Sequence, residues 1–262
     1  MIVGGLASIS FRKLNCREVA NLAKSCGLQG IEWIGDAHAP AGNVPRAKEA
    51  LQATKDAGLK VAGYGSYFRP GERRSDLPEF AAVLETAVAL ETPLIRAWAG
   101  LKPSAEADAA YRAKVVADLV DASQKAKAVG IRIGLEYHVG TLTDADASAL
   151  ALARELQGTN VQFYWQAHNH DIAANVTTIR QLTPRLANFH VFQTIAAVSG
   201  PDRRPLAEGS REWLQYLRVP TWQEPRFALL EFVRGDSPEQ LAQDAAVLNA
   251  WLAEIAQENK GR

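Results

Sequence analysis

The fold this sequence predicts is α/β: a single (β/α)8 TIM barrel, eight parallel strands closed into a cylinder with helices outside. Three observations lead there. Eight short β-prone apolar runs alternate with longer stretches of 3.6-residue periodicity. The 262 residues form one compositional regime without linker or low-complexity segment, and ~250 residues is the usual size of that barrel. The first strand–helix turn, "VGGLAS", lacks the G-x-G-x-x-G phosphate loop expected of the runner-up, an open doubly wound sheet. One domain spanning residues 1–262 is therefore expected.

The elements follow in order. Strands are expected at 2–11, 30–35, 60–68, 93–99, 131–138, 161–166, 188–193 and 227–233. Helical patterns such as "REVANLAKSCG", "PRAKEALQATKDAG" and "AKVVADLVDASQKAKAVG" separate them, so each strand returns parallel to the last. Gly27, Gly58 and Gly130 stand where those helices end, the position at which glycine relieves left-handed strain. "SPEQLAQDAAVLNAWLAEIA" opens with a helix N-terminal signature and closes the chain as a long amphipathic helix.

Composition narrows the function classes. Hydrophobic residues make up 47%, enough for a sizeable core, and 29 basic residues balance 29 acidic ones. A protein that neutralises a phosphate backbone usually carries a basic surplus, so nucleic acid is an unexpected partner. Cys16 and Cys26 fall about 15 Å apart along the first helix, beyond the ~7 Å that a disulfide spans. Two unbridged cysteines suit a reducing compartment. The start "MIVGGLASISF" lacks signal-peptide character, and no run approaches ~18 apolar residues, so no membrane contact and a cytoplasmic location are expected.

In such barrels chemistry collects at the carboxyl ends of the strands. Alternation in "IRIGLEYH" puts Arg132, Gly134, Glu136 and His138 on one face and Ile131, Ile133, Leu135 and Tyr137 on the other. The apolar face suits helices, so Glu136 points into the barrel. The same logic sends Gln166, His190 and Glu231 inward from strands six, seven and eight. Each has a bland reading: an inward Glu paired to Arg, a satisfied core His, a hydrogen-bonding Gln. Jointly, oxygen and imidazole donors from four neighbouring strands form a ring suited to one divalent ion such as Mg²⁺, Mn²⁺, Zn²⁺ or Co²⁺.

At this point the chain resembles the xylose isomerase-like TIM barrels, the superfamily of sugar isomerases, sugar epimerases and AP-endonuclease-type nucleases. "GIEWIGDAHAP", "GLEYH", "FHVF", "LLEFV" and "RRPLAEGSREWLQYL" carry the resemblance over essentially the whole chain. It implies one divalent metal bound through Glu, Asp, His and Glu. Glu136, His190 and Glu231 match by type. In place of the Asp stands "YWQAHNH", where Gln166 is the positional substitute and His168 the alternative.

The resemblance further implies that Glu136 and Glu231 are catalytic, moving protons next to a carbonyl through a metal-stabilised enediolate. Groups suited to a polyol are Trp33, Arg96, Trp98, His38, His138, His168, and Arg204 beside Arg203 in the loop after strand seven; core packing is the equal alternative for Trp33 and Trp98, pairing with a glutamate for Arg96, and a solvated loop for the last two arginines. Glu32 either faces outward or supports the ring from behind. The leading expectation is an isomerase or epimerase of a small sugar, ketose or hydroxy-keto acid. A lyase or dehydratase acting on a keto-sugar or keto-inositol shares the enolisation step. An AP-site nuclease would need further His ligands where Trp33, Tyr64 and Trp98 stand, and a non-catalytic sugar-binding barrel is the remaining reading. The natural partner is a small carbohydrate; a homo-oligomer is also open.

Overall fold

The computed structural model describes residues 1–169, 171–197, 200–220 and 224–260. Its strands are β1 (Ile2–Ala7), β2 (Gly30–Ile34), β3 (Lys60–Gly65), β4 (Leu94–Trp98), β5 (Arg132–Glu136), β6 (Val161–Trp165), β7 (Leu186–Val191), β8 (Gln193–Ile195), β9 (Asp202–Arg204) and β10 (Arg226–Leu230). Eight close into a parallel barrel in the order β1-β10-β7-β6-β5-β4-β3-β2. β8 and β9 form a separate antiparallel hairpin after β7, an element the sequence reading missed. The helices are α1 (Cys16–Ser25), α2 (Val44–Asp56), α3 (Phe80–Ala89), α4 (Ala109–Ala128), α5 (Asp146–Glu155), α6 (Ile172–Leu182), α7 (Ser210–Arg218) and α8 (Pro238–Lys260).

The elements start and stop for local reasons. Asn15 caps α1 through its side chain while Glu18 reaches back to the Asn15 N–H, a capping box. Asp108 and Asp171 cap α4 and α6. Gly27, Gly58 and Gly130 take positive φ just past α1, α2 and α4, as expected. The first strand ends earlier than expected, at Ala7, because Ser8–Phe11 turn into a 3-10 helix. There the Ser8 and Ser10 hydroxyls accept the backbone N–H groups of Ile34 and Val233, so side chains replace a strand ladder at the rim. Cys16 and Cys26 are both free thiols. Among the described residues no helix is long and apolar enough to cross a membrane.

Alternation sorts each strand between two apolar environments. Outward residues such as Ile31, Trp33, Ile133, Leu135, Phe163, Trp165, Phe189 and Val191 are buried against the helices. Inward residues Leu94, Tyr164, Phe227 and Leu229, with Ala7 and Ala62, plug the barrel axis. Burying a side chain of this size contributes about 1.5–3 kcal/mol. Gly134 makes the plug possible, since a Cβ there would lie 2.6 Å from the Tyr164 ring. Above that plug the inward positions change character.

Candidate active site

One turn of the alternation above the plug, five ionisable side chains meet: Glu32 from β2, Arg96 from β4, Glu136 from β5, His190 from β7, and Glu231 just after β10. Each is at most 3% exposed, so each must be matched by partners rather than water. Arg96 is the organising cation. Its Nε donates to Glu32 Oε1 at 2.8 Å, and its Nη1 donates to Glu136 Oε2. Gly65 lets it lie there, because a Cβ at that position would fall 2.7 Å from Arg96 Nη2. Trp98 Nε1 donates to the same Glu136 oxygen, leaving Oε1 of Glu136 to face His190.

His190 is the hub. Its Nδ1 lies 3.3 Å from Glu136 Oε1, 3.3 Å from Glu231 Oε2 and 3.3 Å from Gln166 Oε1. The other nitrogen, Nε2, lies 3.3 Å from Glu32 Oε1. Gln166 is fixed by donating from Nε2 to the Tyr137 carbonyl at 2.6 Å, which turns its oxygen toward His190. Ligand atoms of Glu136, His190 and Glu231 all lie within 4.8 Å of one another. Glu231 Oε2 and His190 Nε2 are buried without a hydrogen bond. These donors fit a hard or borderline divalent cation: two carboxylates, an imidazole and an amide oxygen around one point. With a cation bound, Glu32 would stand as the outer carboxylate behind the histidine, 3.3 Å from its far nitrogen.

The electrostatics agree with that fit. With a neutral imidazole, three carboxylates against one guanidinium leave two negative charges in excess. In the absence of a cation, protons take up the imbalance. Burial would lower the His190 pKa, but Glu231 and Glu32 outweigh it and raise it to about 10. Burial raises Glu231 to about 7, with Glu136 adding to the rise and His190 opposing it. Glu136 moves the other way: burial opposes ionisation, yet Arg96 and His190 hold its pKa well below the ordinary carboxylate range. The two glutamates are thus unequal, one clamped as an anion and one able to carry a proton near neutrality.

The remaining sequence candidates divide. The Trp98 and His138 rings lie 4.4 Å apart, with Trp98 against Glu136. His168 contacts Asp146 at 3.4 Å and helps line a neighbouring cavity of about 190 Å³ with Asn169, Gln193, Glu212 and Trp213, so Gln166 rather than His168 faces His190. Four expectations need correction. Trp33 faces outward, fully buried, with its indole N–H donated to Thr54 on α2, so it is not part of a sugar wall. His38 is buried with its ring nitrogens 3.0 Å from Ser8 Oγ and 3.0 Å from the Leu14 carbonyl, a brace for the rim rather than a free donor. Arg204 sits on the β8–β9 hairpin paired with Glu208 and Asp202. Arg96 is committed to Glu32 and Glu136 rather than offered to a hydroxyl. Glu32 faces inward. The alternation used for β5 would have placed it there, since Ile31 and Trp33 flank it on the helix side.

A closed barrel of eight parallel strands with polar side chains gathered at its loop end defines the (β/α)8 class. More narrowly, the chain belongs to the xylose isomerase-like TIM barrel family, whose model matches residues 20–251. No match was found among curated proteins. Among solved structures, the chain resembles the probable 3-DHS dehydratase AsbF, involved in petrobactin synthesis, from Bacillus anthracis. That match has 23% identity over 94% of this chain and 98% of that one, with a TM-score of 0.77. It also resembles an L-ribulose 3-epimerase, with 15% identity over 99% of this chain and 97% of that one and a TM-score of 0.70. A third is a xylose isomerase-like TIM barrel protein from Mycobacterium smegmatis in complex with magnesium, at 13% identity, 97% coverage of both chains and a TM-score of 0.70. At these identities the likeness is one of fold.

Proposed function

We propose that this protein is an isomerase or epimerase of a small sugar, ketose or hydroxy-keto acid, working by proton abstraction beside a carbonyl at a single divalent cation. The observation that carries the reading is the convergence of Glu136 Oε1, Glu231 Oε2 and Gln166 Oε1 on His190 Nδ1, each at 3.3 Å, in a buried ring at the loop end. The epimerase among the fold neighbours is consistent with it.

In this reading Glu136, Gln166, His190 and Glu231 hold the cation, which supplies Lewis-acid polarisation of the substrate carbonyl. Arg96 and Trp98 fix Glu136 as a permanent anion. Glu32 holds the His190 ring so that Nδ1 faces the ring's centre. Glu231, the carboxylate that no guanidinium of the described residues contacts, takes the proton from the carbon next to the carbonyl. A solvent proton delivered to the same carbon from the other side, with Glu231 later passing its own to water, epimerises; return of the Glu231 proton to the adjacent carbon isomerises. His138, beside Trp98, is the polar group available for a substrate hydroxyl.

A dehydratase is the second reading, favoured by the likeness to the probable 3-DHS dehydratase. It shares the abstraction and then expels a β-hydroxyl. One experiment separates them. The chain supplied with Mg²⁺ or Mn²⁺ is incubated in D₂O with a panel of ketoses and hydroxy-keto acids, and followed by NMR. The expected result is one bound cation per chain and deuterium entering recovered substrate, with Glu231→Gln slowing exchange by roughly 10²–10⁴-fold. Loss of water with appearance of an alkene signal selects the dehydratase. No cation uptake, and no effect of Glu231→Gln, leaves a non-catalytic barrel.

A further inference from the structure

Arg69 follows β3 and lies at the same end of the barrel as the ring. Its guanidinium carbon is 3.2 Å from the centroid of the Trp98 ring, the indole whose N–H is given to Glu136. Its Nη1 donates to the Gly100 carbonyl at 3.3 Å, and among the described residues that is its one hydrogen bond. Its Nε is buried without a partner. No carboxylate of the described residues lies within 4.0 Å of it, whereas Arg96 beside it is shared between two. Arg185 shows what a structural half-buried arginine looks like here: it spreads its donors over the carbonyls of Ala153, Leu156 and Val161 and the Thr159 hydroxyl. A half-buried, always-charged guanidinium with most of its fork unused by the protein is suited to take an anionic partner.

We propose that Arg69 is an anion-binding residue at the rim of the ring and that it receives the carboxylate of the substrate, making that substrate a hydroxy-keto acid rather than a neutral ketose. The place of this contact in a reaction rests on the enzymatic reading above; the anion site itself does not. Stacking on Trp98 and the bond to Gly100 hold the guanidinium flat before the ligand comes, so little rotamer freedom remains to be lost. Nη2 has no partner among the described residues, and a carboxylate oxygen is an acceptor suited to it. A phosphate would bring a charge of about −1.5 to −2 toward a layer already holding three carboxylates, against a single free guanidinium. The cavity on the far side, lined by His168, Asn169, Gln193 and Glu212, offers hydrogen-bonding groups and a carboxylate but no Lys or Arg, which suits the hydroxyl end of the same molecule.

The test uses a matched pair of probes, D-gluconate and D-glucitol, with inorganic phosphate as a third, titrated into the Mg²⁺-supplied full chain by calorimetry. Wild type is expected to bind gluconate at least about tenfold more tightly than glucitol, the scale of a charge-assisted hydrogen-bonded pair. Arg69→Gln is expected to abolish that preference while leaving glucitol affinity and melting temperature near wild type, and Arg69→Lys to keep part of it. A gluconate preference that survives Arg69→Gln sends the carboxylate to the ring instead and overturns the assignment. So does Arg69-dependent binding of phosphate alone, or binding of neither sugar compound. Absent cation uptake and absent deuterium exchange, with Arg69-dependent gluconate binding intact, sink the enzymatic reading and leave the anion site standing.

Discussion

Two layers of inward side chains fill the barrel, and they come from the same strands one alternation step apart. The lower layer takes Leu94, Gly134, Tyr164, Asn188 and Leu229; two residues further along, the upper takes Arg96, Glu136, Gln166, His190 and Glu231. The lower layer satisfies itself. Its polar members close locally, with Asn188 donating to the Tyr164 hydroxyl at 3.2 Å and accepting from the Phe227 N–H at 2.9 Å. The upper layer leaves Glu32 Oε2, His190 Nε2 and Glu231 Oε2 buried without hydrogen bonds. Stability is therefore concentrated in one layer, and unmet electrostatic demand in the next. That demand is what a cation and a substrate would relieve, and it is tolerable because the layer beneath is well packed.

The comparison can be broken from below with the largest effect. Leu229→Ala removes a fully buried side chain from the plug and is expected to cost about 2–5 kcal/mol in chemical denaturation. The variant should still bind one cation per chain in calorimetry. Loss of cation binding along with stability would show that the two layers are not separable.

A smaller effect is expected from above. Glu32→Gln keeps an oxygen for Arg96 Nε but weakens the acceptor behind His190, so cation affinity should fall by roughly 10–100-fold, read by competition with a chelating dye. An unchanged affinity would make Glu32 merely a counterion to Arg96.

The smallest effect is also the sharpest. In cation-free protein His190 rises from 6.5 to about 10 and Glu231 from 4.5 to about 7. Both bind protons more tightly when folded. The stability they lend is complete below pH 4.5 for Glu231 and below pH 6.5 for His190, and is lost as pH climbs through about 7 and then about 10. A cation must displace those protons. Calorimetry in buffers of different ionisation enthalpy should give roughly two protons released near pH 6 and about one near pH 8.5. Release of none would mean that Glu231 and His190 do not ligate.

Much of this architecture was legible because alternation is strict where one strand face is wholly apolar. Glu136, Gln166, His190 and Glu231 fall inward for that reason, and all meet at His190. The same rule applied to "GIEWI" sends Glu32 in and Trp33 out, although an aromatic near a strand end also resembles a sugar-binding position. His38 and Arg69 lie in loops, where no periodicity reports direction, and only coordinates separate the braced imidazole from the unspent guanidinium. The β8–β9 hairpin was hidden for a related reason: three-residue strands such as "QTI" and "DRR" are too short for a periodic pattern.

With Tyr164 and Phe227 closing the axis beneath the ring, the cylinder is a blind well. A molecule that reaches the ring comes to it from the loop end, since the axis beneath is filled. A ligand seated on Trp98 would rest against the indole that holds Glu136.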